Sequence, residues 1–386
     1  METVVQGENA ALNIQASRPV LAILTIEDDI QLFRGNRSNF ADLIMTGREH
    51  GFIVYVLAVR DLKLRRKQLD GFGYEEKTDT WVLGKFPFPD FIYNRIPLRE
   101  DELQPGVRQK IISCLKDPRV TLFNPSFFNK WSLFKWLRQS PTTRPYIPST
   151  RRMLTREGLG KMMVKHRFLY LKPVSGKAGK GIMAIQVRPE KTLPYRLKIQ
   201  ADRKSITYNC GTISSLWTRI KKESSGERYI AQQGIRLASY NDRSFDLRAL
   251  VQKNQLGEWE ISGIGARVAG SASITTHVPR GGSIDDPEKL LSSAFGEEEA
   301  HKLLVKIRRT ALIIARQIER GARHKLAEMS MDLGVDQQGS VWFFEANAKP
   351  MKFDEPDIRK RSLERIFQYS QYVLKSKKKR PVRTGD

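Results

Sequence analysis

Cysteine is almost missing from this 386-residue chain: Cys114 and Cys210 stand far apart, and neither has a CxxC partner. That excludes a disulfide framework and a zinc knuckle, and points to a reducing compartment. Long apolar runs are missing too. The longest, Pro19 to Ile26, has the length of a strand and falls far short of the roughly 20 residues that span a bilayer. The first sixteen residues carry Glu2 and Glu8 and no apolar stretch, so no signal peptide is expected. The expectation is a soluble, cytoplasmic protein without a membrane span. Acidic residues are scarce. Against 67 Lys and Arg stand 42 Asp and Glu, a formal charge of +25. Such a field attracts polyanions but says nothing about fold. Without an aromatic-interleaved RNA-binding pattern, zinc finger or basic zipper, sequence-specific nucleic-acid reading is not expected. Solvated faces and a frayed tail, Lys375 to Arg380, account for the charge as readily as a functional contact does.

What is present describes a multi-domain globular chain. Hydrophobic residues make up 40% and charged residues 28%, which excludes disorder and collagen for most of the length. The periodicity predicts strands at Pro19–Ile26 and Phe52–Val59 around a helix at Asn39–Glu49, the opening of an α/β unit. Further strands are expected at Trp81–Leu83 and Phe91–Tyr93. The expected division is a leader (1–17), an N-terminal α/β domain (18–122), a middle domain (123–227), a C-terminal α+β domain (228–374) and a basic tail (375–386). In the middle domain, a helix at Lys130–Arg138 precedes strands Phe168–Lys172 and Ile182–Val187. In the last, strands Phe245–Lys253 and Trp259–Val268 lead to a helix at Gly296–Arg320, a hairpin and a closing helix from Pro356.

Between two of these strands lies Ser175-Gly176-Lys177-Ala178-Gly179-Lys180-Gly181. Its glycines allow backbone N–H groups to turn around an anion, and its lysines supply charge. It is not a Walker A loop, because Gly181 follows the GK and a strand follows the loop. A plain turn and a phosphate loop both remain open. Lys172, ending the preceding strand, is well placed as a point charge on phosphates.

The hairpin Leu326–Asp336 with Val341–Asn347 is more informative. Strand alternation gives Glu345 and Asn347 a common face. If Gln337-Gln338 is a two-residue turn, Asp332 lies opposite Phe343 and shares that face. Two carboxylates and an amide oxygen would then converge as hard ligands suited to Mg²⁺. A three-residue loop would flip that register, leaving a hairpin with one wet face. Asp246-Leu247-Arg248 pairs an acceptor with a guanidinium on one strand face, and Arg267 lies on the next strand. Such arginines neutralise carboxylates or bind anions.

In this order and spacing the motifs resemble the ATP-grasp superfamily, whose relatives include glutathione synthetase and D-alanine–D-alanine ligase. The chain more closely resembles the YheC/YheD family of endospore coat-associated proteins. That likeness rests on Ile92-Tyr93-Asn94-Arg95-Ile96, Phe123-Asn124-Pro125, Asn129-Lys130-Trp131, Tyr146-Ile147-Pro148, Asp332 to Asp336 and Trp342 to Pro350. It implies an ATP-grasp fold behind an N-terminal α/β domain. It also implies ATP and Mg²⁺ as cofactors. Lys130 and Lys172 would grip the phosphates under the loop Ser175, Gly176, Lys177, Gly179, Lys180 and Gly181. Gln232, Gln233, Gly234 and Ile235 would read the adenine edge, with Asp246 near the ribose. Arg248 and Arg267 would face the γ-phosphate and acyl intermediate. His277 stands where relatives commonly carry Asn, four residues before the paired glycines. Asp332, Glu345 and Asn347 would hold the metal. The implied activity is a carboxylate–amine or carboxylate–thiol ligase. Its partners would be small-molecule or peptide carboxylates and amines. A spore-coat structural protein that binds nucleotide without turnover, its basic surface docked to acidic coat components, is the alternative.

Overall fold

The computed structural model describes residues 18–174, 181–200, 205–270 and 282–378. The first unit contains β1 (Val20–Thr25), a ribbon of β2 (Glu27–Asp28) with β3 (Leu32–Phe33), α1 (Arg37–Glu49) and β4 (Ile53–Ala58). It continues with β5 (Gln68–Glu75), β6 (Thr80–Pro87), β7 (Phe91–Asn94), α2 (Arg99–Leu103), α3 (Pro105–Lys116) and β8 (Thr121–Phe123). β1 is apolar at five of its six positions because both its faces are covered. Leu21 and Ile23 pack toward α1, while Val20, Ala22 and Leu24 pack toward α3. It runs parallel to β4 and β7 at the centre of the order β6-β5-β4-β1-β7-β8.

The helix α4 (Lys130–Gln139) comes next, and its Asn129 side chain caps it by accepting from the Ser132 N–H at 3.1 Å. The middle unit then contains β9 (Thr150–Arg152), α5 (Arg156–Lys165), β10 (Phe168–Pro173), β11 (Met183–Val187), β12 (Tyr195–Gln200), β13 (Ser205–Cys210), α6 (Ile213–Ser224) and β14 (Tyr229–Gln233). These strands form an antiparallel sheet in the order β13-β12-β11-β10-β14-β9. One face, with Leu169, Leu171, Ile185 and Leu197, is buried under α5 and α6. β14 comes from beyond the expected boundary at 228, because it pairs with both β9 and β10.

The last unit contains β15 (Ser239–Tyr240), β16 (Arg243–Lys253), β17 (Trp259–Val268), β18 (Ser283–Asp285), α7 (Pro287–Phe295), α8 (Glu297–Ala322), β19 (Glu328–Val335), β20 (Val341–Asn347) and α9 (Pro356–Lys378). Its main sheet runs β18-β17-β16-β19-β20. α8 presents Ala300, Leu303, Ile307, Ala311, Ile314 and Ile318 at helical spacing to one sheet face. Phe134 of α4 joins that core, its ring 5.9 Å from the ring of Phe343. α9 returns to the first unit, where Phe367 packs beside Phe52. Among the described residues no helix is long and apolar enough to cross a membrane.

Candidate functional site

The face of the last sheet turned away from α8 carries the charges. Alternation along β16 buries Leu247 and Ala249 in the core and sends Asp246 and Arg248 to the other side. Cross-strand register then pairs Asp246 with Arg267 and Arg248 with Asp332. Arg267 donates Nε to Asp246 Oδ1 at 2.9 Å and Nη2 to Asp246 Oδ2 at 2.7 Å, and its Nη2 also lies 2.9 Å from Asp332 Oδ2. Arg248 donates Nε to Asp332 Oδ1 at 3.0 Å. Burial alone would push the Arg267 guanidinium down, but Asp332 and Asp246 outweigh it and hold the group well above its ordinary value.

The hairpin is not closed by a two-residue turn. Val335 pairs with Val341, so the loop is Gln337-Gln338-Gly339, with Gly339 at φ +76°. Asp336 organises it: its backbone carbonyl accepts from the Gly339 N–H, and its carboxylate accepts from the Gln338 and Ser340 N–H groups and from the Trp342 indole. Only a residue free to adopt positive φ fits such a three-residue hairpin comfortably. That loop by itself would have put Asp332 and Glu345 on opposite faces. A bulge at Phe344 adds one residue to β20 and reverses the register again, so that Asp332 lies directly opposite Glu345. Asn347 follows on the same strand, opposite Ser330.

Two lysines approach this face from other elements. Lys130 is the first residue of α4, and its ammonium is ion-paired with Glu345. A cation at a helix N-terminus opposes the helix dipole, a cost that an anion bound there would remove. Lys172, half-buried on β10, donates to Gln232 Oε1 at 2.7 Å and lies 5.5 Å from the Phe344 ring centroid. Burial pushes its ammonium down to about 8; Glu345 works against that shift and Lys130 adds to it. Gln232 is fixed on its other side by donating Nε2 to Thr150 Oγ1 at 3.1 Å. Gln233 pairs with Ser149, and the Gly234 N–H donates to Phe168 O at 2.8 Å. A Cβ on Gly234 would meet the Phe168 ring at 2.3 Å, so this position requires glycine. Ile235 is buried just beyond.

Lys130, Lys172, Gln232, Arg248, Arg267, Asp246, Asp332, Glu345 and Asn347 thus gather where the middle and last sheets face each other. Ser175, Gly176, Lys177, Gly179 and Lys180 lie outside the described residues, as does His277. Gly181 closes that loop by accepting at its carbonyl from the Tyr229 hydroxyl, 2.9 Å away. Among the described residues no three His, Cys, Asp or Glu side chains cluster as a metal cage. The site offers two carboxylates and an amide oxygen instead. That set fits Mg²⁺, which keeps its waters and takes one or two carboxylates together with substrate phosphates.

The sequence reading assigned no role to a buried polar clasp behind the site. Glu102 Oε1 accepts from Lys349 Nζ at 2.5 Å and from Asn94 Nδ2 at 2.9 Å, while Oε2 accepts from the Phe127 N–H at 2.9 Å. Lys349 also donates to Asn94 Oδ1 at 2.9 Å and to Ile96 O at 3.2 Å. Burial pushes the Lys349 ammonium down to about 8, against the pull of Glu102. The clasp therefore ties the first unit both to the segment entering Lys130 and to the strand end just past Asn347. Asn94 and Lys349 both belong to the motifs that carried the resemblance, and Glu102, in α2 eight residues after Asn94, is the third member.

The chain is similar to the endospore coat-associated protein YheD of Bacillus subtilis (strain 168), with 25% identity over 365 residues, covering 92% of this chain and 79% of the relative. It is also similar to YheC of the same organism, with 22% identity over 280 residues, 72% of this chain and 75% of the relative. The solved structure of D-alanine–D-alanine ligase from Bacillus anthracis superposes with a TM-score of 0.52, covering 94% of this chain and 99% of the other. At 10% identity, that likeness speaks for the fold alone. Residues 119–373 match the family described as YheC/D like ATP-grasp, and the chain belongs to that family.

Proposed function

We propose that this protein is an ATP- and Mg²⁺-dependent ligase that joins a carboxylate to an amine or a thiol through an acyl phosphate. One observation carries the reading: Lys130, Lys172 and Glu345, from three separate elements, meet at one site between two sheets. Lys130 and Lys172 bind the ATP phosphates, and Gln232 to Ile235 line the adenine side. A carboxylate oxygen attacks the γ-phosphorus and ADP leaves. The amine nitrogen or thiol sulfur then attacks the acyl carbon, and phosphate leaves. Asp332, Glu345 and Asn347 would hold Mg²⁺, which supplies Lewis-acid polarisation of the phosphoryl oxygens when bound. Arg248 keeps donors beyond those given to Asp332 and is the better placed of the two arginines for the acyl oxygens. Arg267 divides its guanidinium between Asp246 and Asp332, and we assign it to holding the site in shape. The names of both relatives support endospore coat formation as the setting.

Hydroxylamine intercepts acyl phosphates as hydroxamates. Protein incubated with ATP, Mg²⁺, hydroxylamine and a broad carboxylate panel should give a hydroxamate with at least one carboxylate, and Arg248→Ala should lose it while still binding ATP. Protein that binds Mg-ATP tightly yet yields no hydroxamate across the panel would favour the non-catalytic coat reading instead.

A further inference from the structure

The positive charge of this chain is unevenly placed. Residues 150–227 hold eighteen Lys and Arg against five Asp and Glu, 18 − 5 = +13, about half the excess of the whole chain. Among the described residues, ion pairs absorb little of it. This unit's ion pairs include Arg156 with Glu157 and Arg219 with Glu223, both 3.4 Å apart. The charge also has a direction. On β12, Tyr195, Leu197 and Ile199 pack toward α5 and α6, so Arg196 and Lys198 stand half-buried on the opposite face. Register places Gln232, Tyr170, Ala184, Lys198 and Thr207 in one row across that face. The cations therefore share a face with the nucleotide-side residues Lys172 and Gln232.

β13 is the end strand of this sheet, and among the described residues no strand pairs with its outer edge. Its residues on the cationic face, Ser205, Thr207 and Asn209, are short, so longer side chains from β12 and beyond reach across them. Arg188 already does, donating to Asn209 Oδ1 at 2.8 Å, while its buried Nε finds no acceptor among the described residues. An open edge offers backbone hydrogen bonds to an extended peptide, and neighbouring side chains then select the sequence. Exposed long edges are normally defended against such pairing. Here the defence is charge of one sign, which repels a basic strand and attracts an acidic one.

We propose that the outer edge of β13 docks an extended acidic polypeptide, with its carboxylates facing Arg196 and Lys198. A nucleic acid fits less well. It cannot join the ladder, and β13 presents Ser205, Thr207 and Asn209 and no aromatic ring on the cationic face. On the opposite face Tyr208 is covered by Arg219 at 4.2 Å and Trp217 by Lys221 at 5.0 Å. From β13 to the strand bearing Lys172 is three strand spacings, about 14 Å, which four or five extended residues cover. That the docked chain also supplies the carboxylate to be activated rests on the ligase reading; the docking does not.

Fluorescence anisotropy of the full chain with a fluorescein-labelled ten-residue oligoglutamate tests the proposal in the absence of ATP. The expected result is saturable, salt-sensitive binding, weakened roughly tenfold in the double variant Arg196→Gln, Lys198→Gln, since two charge contacts are lost. Lys222→Gln, on the helical side of the unit, should stay within about twofold of the parent, the range of a remote charge. Oligoglutamate N-methylated at alternate residues should bind at least several-fold more weakly, because it cannot complete the ladder. Equal binding of a ten-nucleotide single strand, equal binding of the N-methylated peptide, or unchanged affinity in the double variant would each overturn the proposal. ATP calorimetry on the same samples keeps the two readings apart: Lys172→Met should lose ATP affinity and retain oligoglutamate, and the double variant should do the reverse.

Discussion

The last and middle sheets face each other with opposite electrostatic habits. On the last sheet every candidate carboxylate has a cation within reach: Asp246 and Asp332 have Arg267, Asp332 has Arg248 as well, and Glu345 has Lys130. The middle sheet carries a charge excess with few internal anions, and its Lys172 leans on a neutral amide, Gln232. The first arrangement holds its own shape; the second is completed by something that arrives. On the proposed reading, a polyphosphate between them would answer the second without unmaking the first. That reading assigns nucleotide binding chiefly to the middle sheet and geometric precision to the last.

Removing one member from each sheet should give very different stability costs. Arg267→Ala removes the guanidinium that the buried carboxylates Asp246 and Asp332 share, and loss of one partner from a buried ion network costs about 3–5 kcal/mol. Arg196→Gln on the middle sheet breaks no ion pair among the described residues and should stay within about 0.5 kcal/mol of the parent, as surface substitutions do. Urea unfolding of the two variants is the measurement. Comparable losses in both would mean that the middle sheet's charges are bound into its fold after all.

The next effect separates shape from ligand within the last sheet. Glu345→Gln keeps an oxygen and the volume but loses the anion that faces Lys130 and the metal position. Nucleotide affinity with Mg²⁺ should fall about 10- to 100-fold, as for a lost metal ligand or its support, while affinity in excess EDTA should change far less. Titration calorimetry in both conditions decides it, and equal losses with and without Mg²⁺ would move Glu345 out of the metal set.

Much of this site was legible in the sequence because local patterns are short-range. The apolar run of β1, the alternation of β16 and β17, and the helical stripe of α8 each declare one element within a few residues. Lys172 was singled out as the end of a strand, Glu345 and Asn347 by strand alternation, and Lys130 through the resemblance alone; the fold brings Lys130, Lys172 and Glu345 together. Of the two turns the sequence left open, the three-residue loop is the one formed, and Asp336 three residues before Gly339 is its signature, with a positive-φ glycine. The bulge at Phe344 has no such signature, since it depends on what β19 presents across the ladder. The clasp of Glu102 and Lys349 was hidden for the same reason: 247 residues separate the partners, and no local pattern couples them. The edge position of β13 likewise follows from sheet order and from no property of its six residues.

The smallest effect concerns one proton. Burial holds Lys172 at about 8, well below the ordinary lysine range near 10.4, so its folded-state value is depressed. Between those values the unfolded chain binds more protons than the folded one, and stability of the ligand-free protein should therefore rise with pH across that window. On the proposed reading ATP should reverse the preference, because its phosphates would favour the charged ammonium. Affinity for ATP should accordingly fall as pH climbs past 8, approaching about tenfold per pH unit well above it. Binding there should also be accompanied by proton uptake, read from calorimetry in two buffers of different ionisation enthalpy. Lys349 titrates in the same range but faces Glu102 and not the nucleotide position, so it contributes to the stability trend alone. Lys172→Met should flatten the affinity profile and abolish proton uptake while leaving part of the stability trend in place. An affinity profile that keeps its slope in this variant would show that another group carries the proton, and that the middle sheet's lysine is not the one completed by the phosphates.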